Sequence, residues 1–335
     1  MSARLLDRLQ QLTAIWGPSG RERKVAEALA EMITPFVDEV KMDRLGNLLA
    51  IRRGTGEGRR VLLTAHMDTP GALALNVSEK GLVYLAPVGG LRAHHAIGQR
   101  VVWGSGLVGV LQTEYLEEAR EVDFKRLFCD IGATSREEAL ENLSLGDACA
   151  FVGELQLLED LVVGPGLDNR AGCAVLVEVA EHLGETAHDL TFAFTCHGES
   201  AVRFGGLAAH GVEPDLALVV DGGQAGDVPK APRLGGRLGG GPALKLKDAG
   251  YVAHHGLAAL VQSVAEEQAI PLQVEISQTG SEGQLLTSAG RGVPTAVIDL
   301  PVRYRGTANE MVNLRDLHGA ADLLLKLLHN PLELS

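Results

Sequence analysis

Four apolar runs that alternate with helical patterns constrain the fold of this 335-residue chain more than any other feature. The runs have the sequences RRVLLTAHMD, LTFAFTCHGE, LALVVDGG and PTAVIDLPV, and each has the length of a buried strand. Helical patterns lie among them, such as DNRAGCAVLVEVAEHLG and the final LRDLHGAADLLLKLL. This alternation predicts an α/β protein in which helices flank both faces of a mostly parallel sheet.

The pattern of predicted elements changes between residues 69 and 159, where short strands replace long strands and helices. Short β-like pieces such as ALALNVS, GLVYLAPV and QRVVWG follow one another there, and one helical pattern, SREEALENL, interrupts them. Short strands in close succession predict a small β-rich unit. We therefore expect one domain formed by residues 1–68 and 160–335, into which a β-rich domain of residues 69–159 is inserted.

The N-terminal segment predicts an amphipathic helix that ends at Gly17, because one helical face carries only apolar residues: Leu5, Leu9, Leu12 and Trp16. Ser19 precedes the next helical pattern and is of a residue type preferred at the N-cap. A hairpin is expected to turn at Gly46 and Asn47. A further helix is predicted after the second apolar run, over AVRFGGLAAHG.

The charge and the cysteines limit the classes of partner and the compartment. The formal net charge is −13 at pH 7, whereas nucleic acids and anionic membranes require a basic surface, so neither is an expected partner. The chain has no signal-peptide pattern and no apolar run long enough to span a bilayer, which predicts a cytoplasmic protein. Its four cysteines form no CxxC pair, which predicts free buried thiols.

All four apolar runs end in unusual residues, where an open α/β sheet gathers its ligands, and the fourth run ends near Arg303 to Gly306. His66 and Asp68 follow the first run, Glu199 follows the second, and Asp221 ends the third. Asp168 stands in the loop GPGLDNR, just before a helical pattern. Each residue also has an ordinary interpretation: Asp168 as a helix cap, Asp221 as a turn residue, His66 as a core histidine and Glu199 as a solvated loop end.

Taken together, these residues predict a metal site. His66 and Asp68 are two positions apart on a strand, so their side chains point to the same face. The histidine can then bind a metal through one ring nitrogen while the aspartate accepts a hydrogen bond from the other. Carboxylates from other strand ends complete a shell that suits zinc, cobalt or manganese.

Several longer segments point to a known family and lie in that family's order from end to end: DRLGN at 43–47, AHMDTPG at 65–71, IGQRV at 97–101, DIGATSREEA at 130–139, GLDNRAGC at 166–173, VDGGQAGDVP at 220–229, GGGPALKLKD at 239–248 and GVPTAVIDLPVRY at 292–304. With these segments the sequence resembles the tetrahedral aminopeptidases, also called the glutamyl or deblocking aminopeptidase family, some of whose members were labelled endoglucanases. The resemblance implies a zinc-peptidase-like α/β domain with an inserted small β-barrel that mediates dimerisation, and dimers that assemble into tetrahedral dodecamers. It also implies a two-metal site that removes the N-terminal residue of short peptides or aminoacyl substrates.

The resemblance assigns a role to each candidate residue. His66 and Asp221 match ligands of the first metal, and Asp168 matches the aspartate that bridges the two metals. Asp68 matches the residue that orients the histidine. Glu199 matches a ligand of the second metal.

Two positions depart from the family's pattern. Gly198 stands where the family has its glutamate base, and Gly306 stands where it has a histidine for the second metal. His197 or Glu199 is then the candidate substitute base. The resemblance thus supports one metal site and leaves the second incomplete.

Three hypotheses follow for the function. The first is a metal-dependent aminopeptidase with a modified site, and the second is a catalytically inactive relative that acts as a scaffold, a mixed-shell subunit or a peptide or metal binder. The combined change Gly198→Glu and Gly306→His is expected to create activity if these are the only two losses. The third is a serine hydrolase that uses Ser200, since GESAV partly matches a nucleophile elbow. The neighbouring histidine pairs are interpreted as loop or interface residues: His94, His95, His254 and His255.

Overall fold

The structure is a computed structural model that describes residues 2–115, 122–151, 153–200, 205–231 and 235–334. In these ranges the strands are β1 (Glu39–Met42), β2 (Leu48–Arg52), β3 (Arg60–His66), β4 (Gly71–Val77), β5 (Val83–Val88), β6 (Arg100–Trp103), β7 (Val108–Thr113), β8 (Leu127–Asp130), β9 (Ala148–Phe151), β10 (Gln156–Leu158), β11 (Leu161–Gly164), β12 (Asp189–Thr195), β13 (Leu216–Gln224), β14 (Ala243–Lys247), β15 (Gln273–Ile276), β16 (Thr295–Val302) and β17 (Glu310–Asn313).

The α-helices of the same ranges are α1 (Ser2–Thr13), α2 (Arg23–Ile33), α3 (Ala93–Ala96), α4 (Arg136–Asn142), α5 (Leu167–His182), α6 (Gly205–Val212), α7 (His255–Glu267), α8 (Gly283–Thr287) and α9 (Leu314–His329). Two single turns of 3₁₀ helix lie at Thr34–Phe36 and Phe124–Arg126. In this part of the chain, no helix combines the length and the apolar character that a membrane crossing requires.

Eight strands form the main sheet, in the order β1-β2-β12-β3-β13-β16-β14-β15. Its centre consists of β12, β3, β13 and β16, which are the four predicted apolar runs, and these neighbours all pair in parallel. Their carboxyl ends therefore meet at one edge of the sheet, as an α/β site requires. The predicted hairpin is also confirmed, since β1 and β2 pair in antiparallel fashion around Gly46 and Asn47.

Helices cover both faces of this sheet, because successive strand residues point to opposite sides. Val61 and Leu63 of β3 belong to the large core that α1, α2, α5, α7 and α9 form on one face. Leu62 lies between them in sequence and packs on the other face with residues of α6 and α8. The predicted α/β class with flanking helices is confirmed.

A second core lies inside a closed six-stranded barrel with the strand order β4-β5-β8-β7-β6-β9. Trp103 and Leu127 are buried in it. The inserted barrel that the resemblance implied is therefore present. β10 falls within residues 69–159 but lies outside the barrel, because it pairs with β11, which in turn pairs with β17.

The N-terminal segment differs from its prediction in two places. Helix α1 ends at Thr13, before Gly17, and the indole nitrogen of Trp16 donates a hydrogen bond to the carbonyl of Val102 in the barrel at 3.0 Å. Helix α2 begins after Glu22, so Ser19 is not its N-cap.

The four cysteines are free and buried, as predicted. The first part of the helix predicted over AVRFGGLAAHG, residues 201–204, lies outside the described residues.

Candidate metal centre

Three buried side chains meet at the carboxyl edge of the central strands. His66 ends β3, Asp221 lies in the neighbouring β13, and Asp168 stands at the start of α5. The Nε2 atom of His66 is 3.6 Å from Oδ1 of Asp168 and 3.5 Å from Oδ1 of Asp221. All three offer ligand atoms within 4.8 Å of one another. We call them the carboxylate–histidine trio.

The backbone around Asp168 leaves room for this arrangement. Asp168 has non-helical dihedral angles at the start of α5, and the peptide bond between Asp168 and Asn169 is cis. Gly222 of β13 lies directly behind it, since a Cβ there would be 2.1 Å from Oδ1 of Asp168. The Oδ1 atom is buried and has no hydrogen-bond partner. Asp168 is therefore not a simple helix cap, and its oxygen is directed at the other members of the trio.

Asp68 holds His66 from the opposite side of the ring. Its Oδ1 is 3.2 Å from Nδ1 of His66. The backbone N–H groups of Gly198 and Glu199 donate to its carboxylate at 2.7 and 3.0 Å, and the hydroxyl of Ser19 donates at 2.5 Å. Ser19 thus supports the site rather than a helix end, and Asp68 is a fully anchored carboxylate.

The charge balance of the trio suits a bound cation. Burial lowers the pKa of His66, but the carboxylates of Asp168, Asp221 and Asp68 outweigh burial and hold that pKa well above its usual value. Burial raises the pKa of Asp221, but His66 overcomes this and brings the pKa below its ordinary value. One imidazole nitrogen and two carboxylates, one with a buried oxygen that lacks a partner, form a donor set that fits a single zinc, cobalt or manganese ion.

Arg305 occupies the other side of Asp168. Its Nε donates to Oδ2 of Asp168 at 2.5 Å, and its Nη2 lies 2.5 Å from the same oxygen. Glu310 also links the loop of Arg305 to Asp168. Its carboxylate accepts hydrogen bonds from the backbone N–H groups of Gly306 at 2.7 Å and of Asp168 at 2.9 Å. The two oxygens of Asp168 therefore face different neighbours.

Gly198 is packed directly against His66. A Cβ at Gly198 would lie 2.2 Å from both Cβ and Cγ of His66, which no side chain tolerates without a shift of the backbone or the ring. Gly306 has a φ of 72°, and a Cβ there would be 3.0 Å from the carbonyl oxygen of Gly90. Neither glycine therefore has space prepared for a side chain, and the expectation that Gly198→Glu with Gly306→His creates activity stays a prediction.

The two candidate bases point in different directions from the turn after β12. The carboxylate of Glu199 accepts a hydrogen bond from the N–H of Gly90 at 3.1 Å, and Glu199 is not part of the trio's 4.8 Å cluster. Burial and the nearby Asp168 raise the pKa of Glu199 to about 7. His197 has a φ of 58°, its backbone N–H donates to Glu22 at 3.0 Å, and its ring lies beside Gly20, where a Cβ would be 3.4 Å from Cε1. The roles of Glu199 as ligand or base and of His197 as base stay predictions.

A cleft of about 550 Å³ opens beside the trio, between the main domain and the barrel. Asp168, Glu199 and Arg305 line it on one side, and Gly90 and His95 of the barrel line it on the other. His95 and its neighbour His94 form an edge-to-face pair in α3 with ring centroids 4.1 Å apart. The barrel thus contributes to the wall of the cleft.

The sequence interpretation gave Arg305 no role in the site, and it treated His95 as a loop or interface residue, whereas His95 lies in α3 and lines the cleft. The only sequence signal for Arg305 was a basic residue immediately before Gly306, and nothing in the sequence shows where its side chain points.

His254, of the second histidine pair, caps α7, since its ring accepts a hydrogen bond from the backbone N–H of Leu257 at 3.3 Å. The hydroxyl of Ser200 donates to the carbonyl of His197 at 2.9 Å, a turn contact that lends no support to a nucleophile.

An α/β sheet that presents a carboxylate–histidine trio at its carboxyl edge, with a β-barrel inserted, defines a protein of the metallopeptidase class. A family model described as M42 glutamyl aminopeptidase matches residues 46–323. The chain belongs to this family of metal-dependent aminopeptidases, as the resemblance predicted.

Individual relatives agree with this assignment over nearly the full length. A putative aminopeptidase of Acetivibrio thermocellus is 38% identical over 325 residues, which cover 96% of this chain and 98% of the relative. The structure of an aminopeptidase from the archaeon Desulfurococcus kamchatkensis superposes with a TM-score of 0.94 at 29% identity and covers 98% of this chain and 95% of its own. The TET1 peptidase of Pyrococcus horikoshii, which can assemble into a tetrahedron or a large octahedral shell, superposes with a TM-score of 0.85 at 29% identity, with 97% and 99% of the two chains covered.

Proposed function

We propose that this chain is a metal-dependent aminopeptidase that acts through a single divalent ion, zinc, cobalt or manganese, held by His66, Asp168 and Asp221. The observation that carries the proposal is the trio itself, with ligand atoms within 4.8 Å of one another at the edge of a cleft. The substrates are short peptides or aminoacyl compounds, which the cleft of about 550 Å³ has room to accept.

The proposed role of each residue in the reaction follows from its contacts. A divalent ion held by His66, Asp168 and Asp221 would polarise the scissile carbonyl and make water a stronger nucleophile. Asp68 orients His66 through its anchored carboxylate. Glu199 accepts a proton from the attacking water and returns it to the leaving amine. Glu199 is preferred over His197 for this role because Glu199 lines the same cleft as Asp168, whereas the ring of His197 lies beside Gly20 and is not among the residues that line that cleft.

The second candidate is a catalytically inactive relative that acts as a scaffold, a mixed-shell subunit or a peptide or metal binder. The observation that favours it is the packing of Gly198 against His66, which removes both the family's base and the space for one. A site without a general base loses about 10²–10⁴-fold in rate. Such a protein still binds a metal ion at the trio but shows no turnover.

Self-association belongs to the same proposal. The TET1 peptidase of Pyrococcus horikoshii can assemble into a tetrahedron or a large octahedral shell, and the barrel of this chain is proposed to form the dimer contact from which dodecamers are built. The cytoplasmic location and the absence of nucleic-acid and membrane partners stay predictions of the sequence.

The test is hydrolysis of aminoacyl-p-nitroanilides and dipeptides by protein stripped with EDTA and resupplied with zinc, cobalt or manganese. We expect turnover that returns with the metal and is lost in His66→Ala. The control His210→Ala changes an exposed histidine of α6 and should behave as the wild type. Metal binding without turnover of any substrate would favour the inactive relative, and turnover unaffected by EDTA would contradict both.

A further inference from the structure

The two carboxylate oxygens of Asp168 face different kinds of neighbour. Oδ1 faces Nε2 of His66 at 3.6 Å and has no hydrogen-bond partner, so it is available to a metal ion. Oδ2 is taken by Arg305, whose Nε and Nη2 both approach it at 2.5 Å. A cation therefore already stands on the side of Asp168 that points away from the trio.

The surroundings of Arg305 hold it in this position. Its side chain is only 20% exposed, and a guanidinium stays charged even when it is partly buried. Burial lowers the pKa of Arg305, but the carboxylates of Asp168, Asp221 and Glu199 outweigh it and keep the group protonated. Glu310 fixes the loop by accepting the N–H groups of both Gly306 and Asp168.

Among the described residues near this position, Gly306 and Glu199 do not offer a second metal its ligands. Gly306 has no side chain, and its φ of 72° together with the carbonyl of Gly90 at 3.0 Å disfavours one. The carboxylate of Glu199 binds the N–H of Gly90 instead of joining the cluster around the trio. The donor set on this side is therefore a poor fit to a divalent ion, whereas it suits a guanidinium.

We infer that Arg305 is a built-in cation that replaces a second metal ion beside Asp168, so that the centre binds one divalent ion per chain. The inference rests on the proposed metal site at the trio. It makes Arg305 a charge-compensating residue, which neutralises part of the negative charge of Asp168 from the side of Oδ2. A second ion would have to displace the guanidinium from Oδ2 and would be repelled by it.

The chain offers a matched control two residues away. Arg303 lies at the same end of the sheet but pairs with Asp227, at 2.8 Å from Nε and 2.6 Å from Nη2. Replacing Arg303 removes an arginine of the same loop without touching Asp168. Arg305→Lys keeps the charge and loses the planar fork.

The experiment is isothermal titration of EDTA-stripped protein with zinc or cobalt, with bound metal counted by mass spectrometry. The wild type, Arg303→Ala and Arg305→Lys should each bind one ion per chain. Arg305→Ala should bind its ion about tenfold more tightly or more, or bind a second ion, because a positive charge next to the centre is gone. Melting curves of all four proteins confirm that they are folded.

The possible results separate this inference from the proposed function. Two ions per wild-type chain, or an Arg305→Ala variant that binds one ion with unchanged or weaker affinity, would overturn the role of Arg305 and leave the metal-dependent hydrolase intact. No ion in the wild type would overturn the proposed metal centre, and the role of Arg305 with it. The readout is metal binding, so it does not depend on finding the right substrate.

Discussion

The two sides of Asp168 differ in where their residues come from. On the side of Oδ1, His66 and Asp221 lie on neighbouring parallel strands of the central sheet. On the side of Oδ2, Arg305 and Gly306 lie in the loop after β16, and Glu199 lies in the turn after β12. The strand-borne side brings candidate metal ligands together with Asp168, while the loop-borne side places a guanidinium against Asp168.

The two sides differ in how firmly the fold holds their residues. A strand residue cannot move without breaking the hydrogen-bond register of several neighbours, so the trio is held by the whole sheet. A loop residue has fewer such constraints, and loops tolerate substitutions that strands do not. We therefore expect changes on the strand-borne side to be the most damaging.

The largest effect is expected from Asp168→Asn, which touches both sides at once. It removes the negative charge that faces His66 and the partner of Arg305. Metal affinity should fall by more than about 100-fold, beyond the range typical of residues that only orient a ligand. Titration with zinc measures the loss, and Asp227→Asn, which changes the partner of Arg303, should leave affinity unchanged. An affinity close to the wild type's in Asp168→Asn would break the comparison.

A smaller loss is expected from Asp68→Asn, which acts on the strand-borne side through His66. An amide places an NH₂ group against the N–H donors of Gly198 and Glu199 or against the ring of His66. The ring of His66 should no longer be held in the orientation that metal binding needs, and metal affinity should fall about 10- to 100-fold. The same titration applies, and a loss as large as that of Asp168→Asn would mean that Asp68 does more than orient His66.

Gly198→Ala tests the packing between the turn after β12 and the strand-borne side. Its Cβ would be 2.2 Å from His66, so the free energy of unfolding should drop by about 1–3 kcal/mol, as overpacking usually costs. Gly211→Ala is the matched control, because no atom lies within 4 Å of a Cβ there and the residue is helical. That control should be neutral or stabilising by about 0.4–1 kcal/mol. Equal urea denaturation curves for the two variants would contradict the close packing of Gly198.

The smallest effect is expected from Ser19→Ala, which removes one of three hydrogen bonds to Asp68. The two backbone donors remain, so metal affinity should fall roughly two- to tenfold, the equivalent of one hydrogen bond. Thermal stability should change little if Ser19 is not a helix cap. A pronounced loss of helical signal in circular dichroism without a change in affinity would instead support the capping role predicted from the sequence.

The sequence predicted the trio because its signals are local. His66 and Asp221 come at the ends of apolar runs, and runs of that kind predict buried parallel strands whose ends meet. Asp168 was marked by a Gly-rich loop and by the resemblance. Ser19 was interpreted as a helix cap because a cap is the commonest use of that residue before a helix, and its contact with Asp68 depends on a strand far along the chain.

The sequence by itself thus determined the α/β sheet, the inserted barrel and the place of the trio, since apolar periodicity and the order of motifs specify strands and their ends. Only the tertiary structure decided what stands on the other side of Asp168 and why Gly198 has no room for a side chain. The physical reason is that loop conformations are set by distant contacts. Glu199 is held by the N–H of Gly90, and the loop of Arg305 passes close to the carbonyl of the same residue, in a part of the barrel that lies far away in sequence.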